Sequence, residues 1–257
     1  MEINLNCDLG EKAKYYKRAN DLELINIINT ANIACGYHAG SKSVIEETIK
    51  MAKKNNVSIG AHPGFADKKN FGRKRQNIGN KELQKLIIEQ LIIMRDISNK
   101  QKWPMTHVKP HGALNNMACE DYDVAYTIGE CIRNFDKELI YLVLPFSEME
   151  KAAQRLNLKY ACEIFADRNY DDNGFLVSRE ETNALVDDPE VASENILEML
   201  STSSIKTLSG KKLKCYIDSI CIHGDNHNAI FIAKKIIKNL KVNNINLINL
   251  NELKKFK

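Results

Sequence analysis

No stretch of this chain is long and apolar enough to cross a bilayer: a spanning helix needs roughly 18 consecutive apolar residues, and polar or charged residues interrupt every candidate run. The N-terminus lacks a basic region followed by an apolar stretch and leads straight into a strand pattern, so no export signal is expected. The seven cysteines, at 7, 35, 119, 131, 162, 215 and 221, form no C-x-x-C pair and no short disulfide framework. That usage points to a reducing, cytoplasmic setting. Charge of one sign is lacking too: Lys and Arg total 37 against 33 Asp and Glu, a net +4, with only a mild basic concentration at Lys254, Lys255 and Lys257. Neither nucleic acid nor a membrane surface is therefore expected as a partner. Low-complexity tracts, Pro/Gly-rich linkers and internal repeats are absent, so residues 1–257 are expected to form one domain, a length usual for α/β barrels.

What is present is an alternation of short apolar strands and amphipathic helices. Strands are expected at Ile3 to Cys7, Asn32 to Cys35, Val57 to Ala61, Met105 to Lys109, Ile140 to Leu144, Tyr160 to Phe165 and Ile217 to Ile222. Ile245 to Leu250 reads either as an eighth strand or as a packing tail. Ser43 and Glu46 suggest a capping box opening a helix to Lys54, and Leu83, Leu86, Ile87, Leu91 and Met94 form a helical stripe. Asp188 and Pro189 read as N-cap and first helical residue, and residues 167 to 188 as a long loop. Seven strand and helix units predict an α/β fold, a TIM-like barrel of about seven parallel strands.

Side chains alternate faces along a strand, so parity separates the barrel interior from the helix-facing side. Asn4, Asn6 and Asp8 oppose Ile3, Leu5 and Cys7; Ser58, Gly60 and His62 oppose Val57, Ile59 and Ala61; His107, Lys109 and His111 oppose Val108 and Pro110. Glu163 and Asp167 are in phase, as are His223 and Asp225. The polar sets are expected inside, while Ile140 to Leu144 shows no such pattern and reads as structural. All six histidines, His38, His62, His107, His111, His223 and His227, lie on or just after expected strands, where barrel enzymes keep their reacting groups. Asp8, His38, His62, His107, Lys109, His111, His223 and Asp225 are the candidate catalytic groups, with His227 more naturally the start of the last helix. Substrate contacts are expected from Asn6, Glu11, Asn32, Arg73, Glu163 and Arg168. Cys7, Cys35 and Cys221 flank these segments but read as small packing residues.

Five segments, NLNCDLGE (4–11), ANIACGYHAG (31–40), IGAHPGF with FGR (59–73), HVKPHGALNN (107–116) and CIHGD (221–225), with FADRNY (165–170) as a sixth, resemble the family of 5-oxoprolinase A subunits, also called the LamB/YcsF or lactam-utilisation family. The resemblance implies a barrel of the glycoside hydrolase and deacetylase type. It also implies ATP-dependent opening of 5-oxoproline to L-glutamate together with separate B and C subunits. Two positions depart from the family's pattern: Asn115 stands where tyrosine is usual, and His227 where a small residue or proline is common. Ring opening needs activated water, an oxyanion stabiliser and an acid for the leaving nitrogen. Asp8 suits the base or the orienter of a histidine, His62 or His111 the proton carrier, and Lys109 the stabiliser. Arg73 and Arg168 match a substrate carboxylate. ATP is expected as co-substrate, yet Ser209, Gly210, Lys211 and Lys212 fail the P-loop pattern because Ile205 stands where glycine is required, so ATP handling is expected to fall partly to partner subunits. Two alternatives stay open: a metal-dependent amide hydrolase with a divalent ion on Asp8, His38 and His62, and a noncatalytic lactam-binding subunit. Self-association is left open.

Overall fold

The computed structural model describes residues 1–12 and 21–257. These residues hold ten strands: β1 (Glu2–Leu9), β2 (Thr30–Ala34), β3 (Ser58–His62), β4 (His107–Val108), β5 (Ile140–Val143), β6 (Tyr160–Phe165), β7 (Ser204–Lys206), β8 (Lys212–Lys214), β9 (Ser219–Ile222) and β10 (Asn246–Leu247). Strands β1 to β6 and β9 pair in parallel in that order, and β9 pairs back onto β1 (Asn6 opposite Cys221), which closes a seven-stranded barrel. The expected strand count is met by these seven. The eighth candidate is a short addition: β10 pairs with the start of β1 outside the ring, and the chain then turns under it.

Between the strands run α1 (Asp21–Leu24), α2 (Lys42–Lys54), α3 (Asn80–Lys100), α4 (Gly112–Glu120), α5 (Tyr122–Phe135), α6 (Glu148–Arg155), α7 (Pro189–Thr202) and α8 (Ala229–Val242). Their starts follow local chemistry. Asp188 accepts from Glu190 N and Val191 N with Pro189 in the first turn of α7, and the Ser147 hydroxyl accepts from Glu150 N at α6. The cap expected at Ser43 falls instead on Ser41, which accepts from Val44 N, because α2 already begins at Lys42. On α3 the stripe holds, with Leu83, Ile87, Leu91 and Met94 buried and Leu86 partly buried.

Ile3, Leu5, Cys7, Ile59, Ala61 and Val108 join the core between barrel and helices. Inside the ring the lower end is apolar: Ile140, Leu142 and Ala161 meet Leu250 and Leu253 from the C-terminal tail. So β5 does face inward, but with aliphatic side chains that plug the floor. Asn4 donates to Ile248 O and Leu250 N donates to the Thr30 hydroxyl, fastening that plug. The upper interior is polar. Residues 204–214, which carry the failed P-loop match, form an antiparallel hairpin of β7 and β8 with Gly210 at φ +86° in its turn.

Candidate functional site

Strand register builds the site in layers. Asp8 pairs with Asn32, Asn32 with Gly60, and Gly60 with His107. Because Gly60 has no side chain, the His107 ring can cross its position; a Cβ there would stand 2.3 Å from the imidazole. His107 Nε2 thereby reaches Asn32 Oδ1 at 2.8 Å, and Asn32 Nδ2 donates to Asp8 Oδ1 and Asn6 Oδ1, each at 2.8 Å. His107 and Asn32 are fully buried, and burial, reinforced by the Lys109 charge, lowers the imidazole pKa to about 3. A neutral His107 is thus a hydrogen-bonding strut beneath Asp8.

Lys109 is the hub of the interior. Its ammonium donates to Asp8 Oδ1 at 3.1 Å and to Cys221 Sγ at 3.0 Å, approaches Glu163 Oε2 at 3.2 Å, and stands 5.1 Å from the Phe165 ring centroid. Burial opposes that charge, but Asp8, Cys221 and Glu163 outweigh it and hold Lys109 well above its ordinary value. Asp8 is held well below its own, since His62 and Lys109 overcome the burial that would raise it. Glu163 is pushed up, burial there winning over Lys109. Asn6 bridges the same layer by donating to Glu163 and to the Ser219 hydroxyl. Cys7 packs outward as parity requires, whereas Cys221 faces inward, its thiol raised by burial.

A second cluster lies beside Asp8. Glu11 Oε1 sits 3.2 Å from His38 Nε2, 3.3 Å from His111 Nδ1 and 3.8 Å from His62 Nε2, while His62 Nε2 and His111 Nδ1 are 3.1 Å apart. His38 stacks on His111 with ring centroids 3.8 Å apart. Burial, then the neighbouring His111, lowers His38 to about 3; burial also lowers His111, whereas at His62 the Asp8 carboxylate outweighs burial and raises it. Gly64 and Gly72 make room: a Cβ would stand 2.6 Å from His38 Nδ1 or 2.8 Å from His38 Cβ. The metal set expected as Asp8, His38 and His62 is divided, because Asp8 pairs with His62 at 3.4 Å while His38 turns to Glu11. Among the described residues the donor groups that converge within 4.8 Å are Glu11, His38, His62 and His111, and separately Asp8, Cys221 and His223.

Above them opens a cavity of about 630 Å³ whose wall includes Asp8, His62, Lys109, His111 and His223. Of the expected substrate contacts, Arg73 and Arg168 line it; Asn6, Asn32 and Glu163 are buried below and would act on a ligand through Asp8 and Lys109. Arg73 pairs with Asp225 at 2.6 Å. Arg168 is buried, donates to the carbonyls of Ala184 and Val177, and is lowered to about 10 by burial and by Arg179. His223 Nδ1 meets Asp167 at 2.8 Å. Asn115, on α4, lines the wall and bonds Cys119, whereas His227 is exposed in the turn before α8. Arg75 and Arg179 also line the cavity; neither falls on a strand phase, and only their positive charge could have marked them.

Known proteins share both sequence and shape with this chain. A model described as the LamB/YcsF family matches residues 3–255. The chain is 43% identical over 252 residues to a protein of Clostridium beijerinckii named as the A subunit of 5-oxoprolinase, covering 98% of this chain and 99% of that one. It is 39% identical over 247 residues to a Campylobacter jejuni protein of the same name, covering 96% and 97%. Among solved structures, a lactam utilization protein from Thermus thermophilus superposes with a TM-score of 0.90 at 32% identity, covering 96% of this chain and 99% of that one. The catalytic domain of a peptidoglycan N-acetylglucosamine deacetylase from Eubacterium rectale shares the fold, with a TM-score of 0.52 at 10% identity over 96% and 87% of the two chains.

Proposed function

This chain belongs to the LamB/YcsF family, and from that membership we propose that it opens 5-oxo-L-proline to L-glutamate in an ATP-dependent reaction, as the single-domain A subunit (residues 1–257) of a cytoplasmic 5-oxoprolinase with separate B and C subunits. The supporting relatives carry the name of that component over nearly their whole length. The observation that carries the chemistry is the pairing of Asp8 with both His62 and Lys109 at the floor of an arginine-lined cavity.

The substrate joins a carboxylate to a cyclic amide, and the cavity separates matching groups. Arg73 and Arg168 on the wall suit the carboxylate, with Asp225 yielding its hold on Arg73 when a ligand arrives. Asp8, kept ionised and oriented by His62, is the base that takes a proton from water; the Lys109 ammonium stabilises negative charge developing around the attacked carbon. His223 faces the cavity, is oriented by Asp167 and is the acid for the departing nitrogen, while His111 holds Glu11 in place. His38 and His107 act behind them as positioning residues. Transfer of the ATP γ-phosphoryl group to the amide oxygen, with release of ADP, makes the amide a better electrophile. Water adds to that carbon, the ring C–N bond breaks with protonation of nitrogen to leave an acyl phosphate, and a second water releases phosphate to give glutamate. Arg75 and Arg179 at the mouth suit the phosphoryl group, while nucleotide binding is shared with the partner subunits because no P-loop is present.

The test is glutamate release from 5-oxoproline by this chain with and without B and C subunits and ATP. Activity that needs both supports the reading. Asp8→Asn should lower turnover by about 10²–10⁴ while leaving the complex intact; full activity in that variant, or lactam opening without ATP, sinks it.

A further inference from the structure

We propose that Glu11, His38, His62 and His111 form a binding site for one divalent transition-metal ion of the zinc type. This does not rest on the lactam reading, since it follows from the direction of the ring nitrogens.

His62 Nδ1 lies 2.6 Å from Lys109 O and His111 Nε2 lies 2.8 Å from Phe71 O. A carbonyl can only accept, so each of these nitrogens carries its ring's hydrogen. When both rings are neutral the opposite nitrogens, His62 Nε2 and His111 Nδ1, are lone pairs facing each other at 3.1 Å. Asp8 Oδ2 is a further acceptor 3.4 Å from His62 Nε2 and favours a cation there, whether proton or metal. Glu11 Oε1, also an acceptor, stands 3.3 Å from His111 Nδ1 and 3.8 Å from His62 Nε2. The two nitrogens and Glu11 Oε1, converging in a nearly closed space, repel one another unless a cation lies between them. A proton can join two of them; a metal ion satisfies all of them and His38 Nε2 together.

The spacing fits the metal. Bonds of about 2.0–2.1 Å in a tetrahedron place the ligand atoms about 3.3–3.4 Å apart, and the four separations described are 3.1, 3.2, 3.3 and 3.8 Å. The backbone carbonyls behind His62 and His111 are the second-layer acceptors that metal-bound histidines generally have, fixing tautomer and ring direction. Three imidazoles and one carboxylate match zinc, cobalt(II) or iron(II) better than magnesium or calcium. The other convergent group, Asp8, Cys221 and His223, is less suited, because Lys109 already donates to both Asp8 and Cys221. Since His62 and His111 reach the cavity wall, a bound ion would supply a Lewis acid at the floor beside Asp8.

The experiment strips the full-length protein with a chelator and titrates it with Zn²⁺ by calorimetry and with Co²⁺ by visible absorption, without any activity assay. One ion per chain and the intense visible bands of tetrahedral cobalt are expected. Glu11→Gln, which preserves size, and His111→Gln should each weaken binding at least 10-fold, while Cys221→Ser leaves it unchanged. Should His111→Gln not fold, Glu11→Gln decides. A folded protein that takes up no ion means a shared proton fills the cluster and overturns the proposal. Binding that survives both cluster variants but is lost in Cys221→Ser overturns it equally.

Discussion

Lys109 carries the charge on which the barrel interior depends, and replacing it with methionine exposes that dependence. The Lys109→Met side chain keeps the length and apolar stem but leaves Asp8 and Glu163 without their shared cation; the three side chains are 3%, 7% and 2% exposed. Removing one partner of a buried ion pair costs about 3–5 kcal/mol. At about 2–4 °C per kcal/mol for a chain of this size, the melting temperature should fall by about 6–20 °C at pH 7.5. The loss should shrink on acidification. With Lys109 gone, Glu163 rises further above its unfolded value of about 4.3 while Asp8 keeps His62, so at Glu163 the folded state holds more protons than the unfolded state and stability falls as pH rises through its new folded value. The variant should therefore be more stable at pH 5 than at pH 8. Adding Glu163→Gln should recover part of the loss, because it removes the carboxylate already pushed up by burial. Thermal and urea unfolding of wild type, both single variants and the double variant complete the cycle. A Lys109→Met protein within about 1 kcal/mol of wild type at pH 7.5, well short of the cost of an uncompensated buried charge, or one indifferent to pH, would refute the reasoning.

Three further outcomes follow from geometry. Gly60→Ala drives a methyl into the His107 ring and should cost about 1–3 kcal/mol or more; an unchanged urea midpoint would contradict the crossing of that ring to Asn32. Asp167 is held below its ordinary value because His223 outweighs burial, so its contribution is present above the unfolded value of about 3.9 and lost as pH falls through the folded one. Asp167→Asn should then melt lower than wild type at pH 7, with the gap closing in strong acid; a gap constant with pH counts against the pair. Arg73→Ala should raise KM for 5-oxoproline by about 10–100-fold, the worth of a charged hydrogen bond of about 1.5–3 kcal/mol, with kcat little changed; steady-state kinetics of the assembled enzyme decide it.

Much of the interior was legible because β-strands have a period of two and carry little else. Asn4, Asn6 and Asp8 face inward with Ser58 and His62, and His107 and Lys109 join them, as alternation alone requires. Parity runs out where strands end. Glu11 and His38 follow β1 and β2 on loops, so nothing in their spacing could show that His38 meets Glu11 rather than Asp8. Nor could it show that Asn32 is a strut: that depends on inter-strand register with Gly60 and His107. The aliphatic inner face of β5 was masked because an apolar run looks alike on both faces, and its meaning needed Leu250 and Leu253 beneath it. The β7 and β8 hairpin was hidden by short, lysine-rich strands, and Ser41 by a second serine two residues later that caps equally well on paper.

Closing the ring by pairing β1 with β9 has a consequence for how the protein is made. Asn6 and its partner Ser219 are 213 residues apart, and at about 5–20 residues per second the ribosome delivers the second roughly 10–40 s after the first. Until then β1 has one unpaired edge, the kind that invites pairing with other chains. Its inner face bears Asn4, Asn6 and Asp8, whose preference for water keeps that waiting edge from being a greasy one. The polarity that serves chemistry in the finished barrel also protects the nascent chain before the barrel exists.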